Sequence, residues 1–214
     1  MIRIVAFGDS TTHCVGKSGV REATAWRNLL AADLGRRLAR PVEVLDAGVN
    51  ADVASLALQR LDRDVLARRP HWVVVLFGTN DAGYFRPPDG VADTPRVPLG
   101  RFEAALREIV RRIREAPAGV VLCTSVPMSA NYGLKDLPAY REHGLNYLVE
   151  RYAAVIRRLA REQGLPLADV YQAFQGHPER DAFIPDGIHP DPRGQRLIAD
   201  TVLPVLEREL SASP

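Results

Sequence analysis

Residues 2–19 read IRIVAFGDSTTHCVGKSG, and this stretch admits two chemistries. The apolar run Ile4 to Phe7 ends in Gly8-Asp9-Ser10, which puts a serine at the tip of a strand, whereas Gly16-Lys17-Ser18 looks like the end of a phosphate-binding loop. A loop of the form G-x-x-x-x-G-K-[ST] needs its first glycine where this chain has Thr11. The strand that should deliver a magnesium-holding aspartate, WVVVLF at 72–77, runs into Gly78-Thr79-Asn80, with Asp81 well past its end. The nucleotide reading fails on both requirements, and Lys17 reads as a solvated loop cation.

The remaining chain organises around that first strand. Short runs rich in Val and Ile recur at 2–7, 42–46, 72–77, 119–124 and 165–170. They are continuously apolar instead of alternating, as strands buried on both faces are. Between them apolar residues return at helical spacing: Trp26, Leu29, Leu30, Leu34 and Leu38; Phe102, Leu106, Ile109, Val110 and Ile113; Leu148, Tyr152, Val155, Ile156 and Leu159. Further helices are expected over roughly 53–68 and 191–210, the latter kinked at Pro204. Strand alternating with helix predicts an α/β fold: a three-layer α/β/α sandwich on a parallel sheet of about five strands, as one domain over 1–214. Ligands of such sheets collect at the carboxyl ends of the strands. Each strand here is followed by a polar, glycine- or proline-bearing segment, and the irregular stretches 83–100 and 127–144 are long enough to wall a site.

At 214 residues, with 46% hydrophobic and 25% charged residues, the composition is that of an ordinary globular chain. Lys and Arg exceed Asp and Glu by only +2, and the basic residues alternate with apolar ones in stretches such as LREIVRRIRE. That is a solvated helix face, so no nucleic-acid partner is expected. Cys14 and Cys123 lie in or beside apolar runs, which argues against a disulfide and for a reducing, cytoplasmic setting. Polar loop residues follow Phe7 at once, so neither a signal peptide nor a membrane span is expected.

Acyl transfer needs a serine, a base, an acid that orients the base, and donors for an oxyanion. FIPDGIHPDPRG at 183–194 sets Asp186 and His189 three residues apart in a Pro- and Gly-rich loop after the last strand. One tight turn can hold the carboxylate against one ring nitrogen while the other faces Ser10. A D-x-x-H pair by itself often caps the following helix, and an Asn at a strand end, as at Asn80, is often a turn former. Together with Ser10 on one sheet edge, they form a set with a chemical purpose.

FGDS at 7–10, GTND at 78–81 and DGIHP at 186–190 resemble the motif blocks of the SGNH (GDSL) hydrolase superfamily of esterases and lipases, and the similarity extends to RGQRLIADTVLP at 193–204. The resemblance implies a flavodoxin-like sandwich with Ser10 as nucleophile, Asp186 and His189 completing the triad, and Asn80 as a side-chain oxyanion donor. It also implies an oxyanion glycine, where aligning DAGVNADVAS puts Ala51. A backbone N–H serves from alanine too, provided the position needs no positive φ. The Ala51 methyl would then crowd the acyl side of the pocket. The Ser10 N–H is the third expected donor.

The expected activity is hydrolysis of small carboxylic esters, with short acyl chains, through an acyl-enzyme and without metal or cofactor. An O-acetyl esterase acting on sugars is the alternative, with Tyr84, Phe85, Tyr132 and Tyr140 as candidates to stack on sugar rings or line an acyl slot. A binding module that has lost its chemistry fits less well with an intact residue set. The turn at Ser10 is expected to be relaxed, because G-x-S-x-G is broken by Thr12. Asp9 is expected to brace that turn and Asp81 to cap the segment after Asn80. His13 is the rival base, lacking any evident carboxylate partner other than Asp9, and Cys14 is a weaker rival nucleophile.

Overall fold

The structure, a computed structural model, describes residues 1–88 and 90–212. In chain order the elements are β1 (Ile2–Gly8), α1 (Ser10–His13), α2 (Trp26–Leu38), β2 (Val42–Gly48), α3 (Ala54–Asp64), β3 (Trp72–Leu76), α4 (Thr79–Ala82), β4 (Phe85–Arg86), β5 (Gly90–Val91), α5 (Leu99–Glu115), β6 (Gly119–Cys123), α6 (Pro138–His143), α7 (Tyr147–Gln163), β7 (Leu167–Ala168), α8 (Val170–Gln175), α9 (Arg180–Phe183) and α10 (Pro192–Ala212). Five strands form one parallel sheet in the order β2-β1-β3-β6-β7. β4 and β5 make a separate antiparallel hairpin within the 83–100 segment.

Strand period two explains the unbroken apolar runs. Val5, Phe7, Val73, Val75, Val120 and Leu122 join the core beneath α3, α5 and α7. Ile4, Ala6, Val74, Leu76, Val121 and Cys123 join the opposite one beneath α2 and α10. Both faces of the sheet are thus covered by helices, the three-layer α/β/α arrangement expected from the sequence. The run 165–170 forms only a two-residue strand. Asp169 leaves the sheet to cap α8 through Gln172 N–H and to receive Thr124 Oγ1 and Arg157. Helix α10 is continuous through Pro204. No helix among the described residues is long and apolar enough to cross a membrane.

The parallel register brings Gly8 level with Gly48 and with Leu76, so the segments following β1, β2 and β3 leave the sheet side by side. At Gly48 the backbone of α1 comes so close that a Cβ would lie 2.3 Å from His13 N and 2.8 Å from Asp9 O. Only glycine allows β2 to pack this tightly against the turn carrying Ser10. Gly48→Ala should therefore force that turn outward and destabilise the fold by about 1–3 kcal/mol, read as a lower urea midpoint at unchanged slope. An unchanged midpoint would show that the turn yields freely.

Candidate active site

Ser10 opens α1 directly beyond β1. Asp9 caps that helix, its Oδ1 accepting Thr11 N–H at 2.8 Å, which is the bracing expected of it. Ser10 itself is not at a positive φ, so the serine sits in a relaxed turn and not in a strained elbow.

The loop between α9 and α10 carries the other two groups. Asp186 Oδ1 accepts the N–H of Ile188 at 3.0 Å and of His189 at 2.7 Å, while Oδ2 meets His189 Nδ1 at 2.7 Å. Gly187 makes this turn possible at φ +96°, and a Cβ there would lie 2.2 Å from Tyr132 Cα. On the other side of the ring, His189 Nε2 stands 3.0 Å from Ser10 Oγ. A carboxylate at Nδ1 holds the proton there, leaving Nε2 to accept from the serine hydroxyl. Burial raises the Asp186 pKa, but the hydrogen bonds from His189 and Ile188 outweigh it and hold the carboxyl down at about 2.

Ser10 and His189 are thus brought together with Asn80, the second residue of α4, and with the turn that follows β2. Asn80 Nδ2 donates to Asp52 O at 3.0 Å and reaches Asp9 Oδ2 at 3.4 Å. Ala51 lies in a tight turn closed by Asp52 N–H on Val49 O at 3.2 Å. It has φ +57°, so the condition set for an alanine here is not met: the position takes the left-handed conformation that glycine occupies without strain.

Two carboxyls are buried beneath these groups. Asp9 is 2% exposed and Asp81 is fully buried. Burial pushes the Asp9 pKa up to about 6 and that of Asp81 up to about 8. Asp81 does not cap its own segment, as the sequence led us to expect. Its Oδ1 accepts Ala54 N–H at 2.9 Å and so caps α3, tying the Asn80 helix to the turn of Ala51. Its Oδ2 has no hydrogen-bond partner among the described residues.

The four aromatic candidates divide. Phe85 and Tyr132 line a narrow cleft of about 20 Å³ beside Asn80, together with Thr79, Met128 and Ile188. Tyr84 and Tyr140 are buried at 4% and 3% exposure and pack edge to face, 5.1 Å between centroids; Tyr84 instead lines a separate cavity of about 300 Å³ with Ala92, Asp93, Leu137 and Pro138. His13 does have a carboxylate partner, Asp46 from β2, at 2.9 Å, and Arg27 approaches the same oxygen at 3.3 Å. The sequence reading missed this pair because 33 residues separate its members. Cys14 is buried, which pushes its thiol up to about 12 and leaves it protonated. Also missed was Arg60, whose guanidinium ties Gly8 O, Ala47 O and Asp52 together. Its signal was present as an arginine beside the apolar stripe of α3, with acids eight residues before and four after.

The chain matches the GDSL-like Lipase/Acylhydrolase family model over residues 6–197. It belongs to that family. It is 28% identical to the isoamyl acetate-hydrolyzing esterase 1 homolog of Mus musculus over 99% of this chain and 84% of that protein. It is 24% identical to the acetylxylan esterase of Geobacillus stearothermophilus over 76% of this chain and 71% of that one. Among solved structures, the lipase/acylhydrolase from Enterococcus faecalis superposes with a TM-score of 0.77 at 24% identity, covering 98% of this chain and 97% of that one. The protein is a carboxylic ester hydrolase of the GDSL type.

Two consequences are measurable. Between about pH 4 and pH 8 the folded chain keeps a proton on Asp81 that the unfolded chain has lost, so stability falls as pH rises through that window. Asp81→Asn keeps an acceptor for Ala54 and removes this linkage. The stability lost between pH 5 and pH 8 should shrink by roughly 1–3 kcal/mol, and urea titrations identical to wild type at both pH values would contradict the assignment. Ala51→Gly should relieve a left-handed strain of roughly 1 kcal/mol, part of it offset by the freer unfolded chain, for a net gain of about 0.5 kcal/mol. It should also raise the butyryl-to-acetyl ratio of kcat/KM, and an unchanged ratio would move Ala51 away from the acyl pocket.

Proposed function

We propose that Ser10, His189 and Asp186 form the catalytic triad of a serine esterase that works through an acyl-enzyme. The observation that carries this reading is the continuous chain from Asp186 Oδ2 through both ring nitrogens of His189 to Ser10 Oγ, at 2.7 and 3.0 Å. Ser10 Oγ attacks the ester carbonyl as its proton passes to His189 Nε2. Asp186, ionised at any pH above its value of about 2, stabilises the imidazolium. The oxyanion is received by the N–H groups of Ser10 and Ala51 and by Asn80 Nδ2. Of the two Asn80 donors, one is fixed on Asp52 O at 3.0 Å, and the one reaching Asp9 at 3.4 Å is free enough to turn to substrate. His189 then protonates the leaving alcohol. Water attacks the acyl-serine with His189 again taking the proton, and collapse restores Ser10 and releases the acid.

The acyl group is short. The cleft beside Asn80, about 20 Å³, has room for one small terminal group such as a methyl or a carboxylate. The two relatives above, by their names, act on isoamyl acetate and on acetylxylan, esters that share the acetyl group and differ in the alcohol. O-acetylated sugar therefore stays as a second reading of the alcohol side, with Phe85 and Tyr132 rather than Tyr84 and Tyr140 as the aromatic contacts. The basic residues of α5 and α7 support a small-molecule partner over nucleic acid, since Arg107, Arg111 and Arg158 are ion-paired with Glu103, Glu108, Glu115 and Glu162. Two buried free thiols fit the reducing, cytoplasmic setting proposed for the chain.

Ser10→Ala should cut kcat/KM for 4-nitrophenyl acetate by about 10⁴-fold or more, and Asp186→Asn by about 10⁴-fold through loss of the tautomer. A fluorophosphonate should label Ser10 in the wild type. His189→Ala should be as inactive as Ser10→Ala, whereas His13→Ala should keep its rate. An inactive His13→Ala would transfer the base to the His13–Asp46 pair.

A further inference from the structure

Arg96 lines the cleft beside Asn80, together with Thr79, Phe85, Tyr132 and Ile188. The surrounding chain fixes its backbone, with Arg96 N–H on Gly83 O at 2.9 Å and the next N–H on Asp81 O at 3.0 Å. Its guanidinium, in contrast, has no hydrogen bond or ion pair among the described residues. Nearby Arg86 makes the contrast plain: it spends its fork on the carbonyls of Thr94 and Pro95 at 2.7 and 3.0 Å and fastens the base of the hairpin.

Among the described residues, none of the carboxyls around Arg96 is bonded to it. Asp52 is held by Arg60 at 2.6 Å and by Val53 N–H at 2.9 Å. Asp9 serves Thr11 and Asn80. Asp81 is kept neutral near pH 7 by burial. A half-buried arginine has lost part of its hydration, which is costly without a bonded partner, and here burial lowers its pKa more than the nearby Asp81, Asp52 and Asp9 raise it. It lines the cleft next to Asn80, one of the groups proposed to hold the ester.

We propose that Arg96 is a specificity-determining residue that binds an anionic group of the substrate, so that the preferred ester carries a carboxylate within reach of the scissile bond. The inference rests on the esterase reading above and names the substrate class for that same site. The carboxylate can belong to the acyl half, as in a monoester of a dicarboxylic acid, or to the alcohol half, as in an acetylated hydroxy acid. The guanidinium meets both in the same bidentate way.

Two matched pairs of esters separate these sources: 4-nitrophenyl hemisuccinate against 4-nitrophenyl butyrate, and 4-acetoxybenzoate against its methyl ester. The quantity read is the anionic-to-neutral ratio of kcat/KM in wild type divided by the same ratio in Arg96→Gln, in which intrinsic reactivity cancels. We expect this quotient to be about tenfold or more for one pair, which identifies the half that carries the charge. Arg96→Lys, a second variant that keeps the charge without the fork, should fall between the two. Quotients near one for both pairs, or an equal loss on all four esters, would overturn the inference while leaving the esterase reading intact. A wild type inactive on all four would overturn that reading and this inference with it.

Discussion

Arg60 is the joint on which the geometry of the site depends. Its guanidinium lies 4.7 Å above the Phe7 ring and reaches the last carbonyl of β1, the Ala47 carbonyl of β2 and the Asp52 carboxylate, with Asp64 one helical turn further on. Beyond the strand ends the segments carrying Ser10 and Ala51 are tied by few other contacts, Val49 N–H on Gly8 O and the Asn80 amide between Asp9 and Asp52. Arg60, 10% exposed, adds the charged tie from the helix that follows both. A buried ion pair contributes little net stability against an apolar substitute. Its value here is positional, since it sets the nucleophile's strand end against the turn proposed to hold the oxyanion.

The same region keeps negative charge away from a reaction that itself develops negative charge. Asp9, Asp52 and Asp81 all lie close to Ser10 and Asn80, and three ionised carboxylates there would oppose an oxyanion. Burial raises Asp9 to about 6 and Asp81 to about 8, and Asp52 is neutralised by Arg60. Asp186, the carboxyl held lowest, at about 2, is placed on the far side of the imidazole, where a negative charge favours the imidazolium. Desolvation thus keeps Asp81 neutral near pH 7 and brings Asp9 partway there, an ion pair compensates the charge of Asp52, and hydrogen bonds to N–H groups keep Asp186 charged.

The sheet could be read from the chain because burial on both faces leaves a continuous apolar run, which survives without any knowledge of partners. The candidates Ser10 and Asn80 were legible for a related reason: each follows a strand end, and parallel order brings strand ends together, whereas Asp186 and His189, two helices beyond β7, were legible from their close spacing in a Pro- and Gly-rich loop. The pairs that escaped reading are those whose members meet only in space. His13 with Asp46 and Asp81 with Ala54 are set by the parallel register and by the close approach at Gly48, neither of which leaves a local pattern. Sequence does not separate Phe85, which lines the cleft beside Asn80, from Tyr84, which lines another cavity, or from buried Tyr140, because an aromatic in a long loop looks the same wherever it packs. The run 165–170 was overextended because Asp169, bonded to Thr124 and Arg157, ends the strand for reasons lying in β6 and α7.

The left-handed alanine shows how these constraints act together. An isolated alanine at φ +57° would relax toward the right-handed or extended region, gaining roughly 1 kcal/mol. It stays because the turn is bonded on both sides of it. Upstream, Val49 N–H is held on Gly8 O at 3.1 Å. Downstream, the Asp52 carbonyl receives Asn80, its carboxylate receives Arg60, and Ala54 N–H is taken by Asp81. Strain at one residue persists only when the surroundings fix it from several directions, and here those surroundings are the proposed oxyanion donor Asn80, the neutral acid Asp81 and the joint Arg60. The residue type at 51 is then free to vary between glycine and alanine at small cost to the fold, so the turn is set by its bonded surroundings rather than by the side chain it carries.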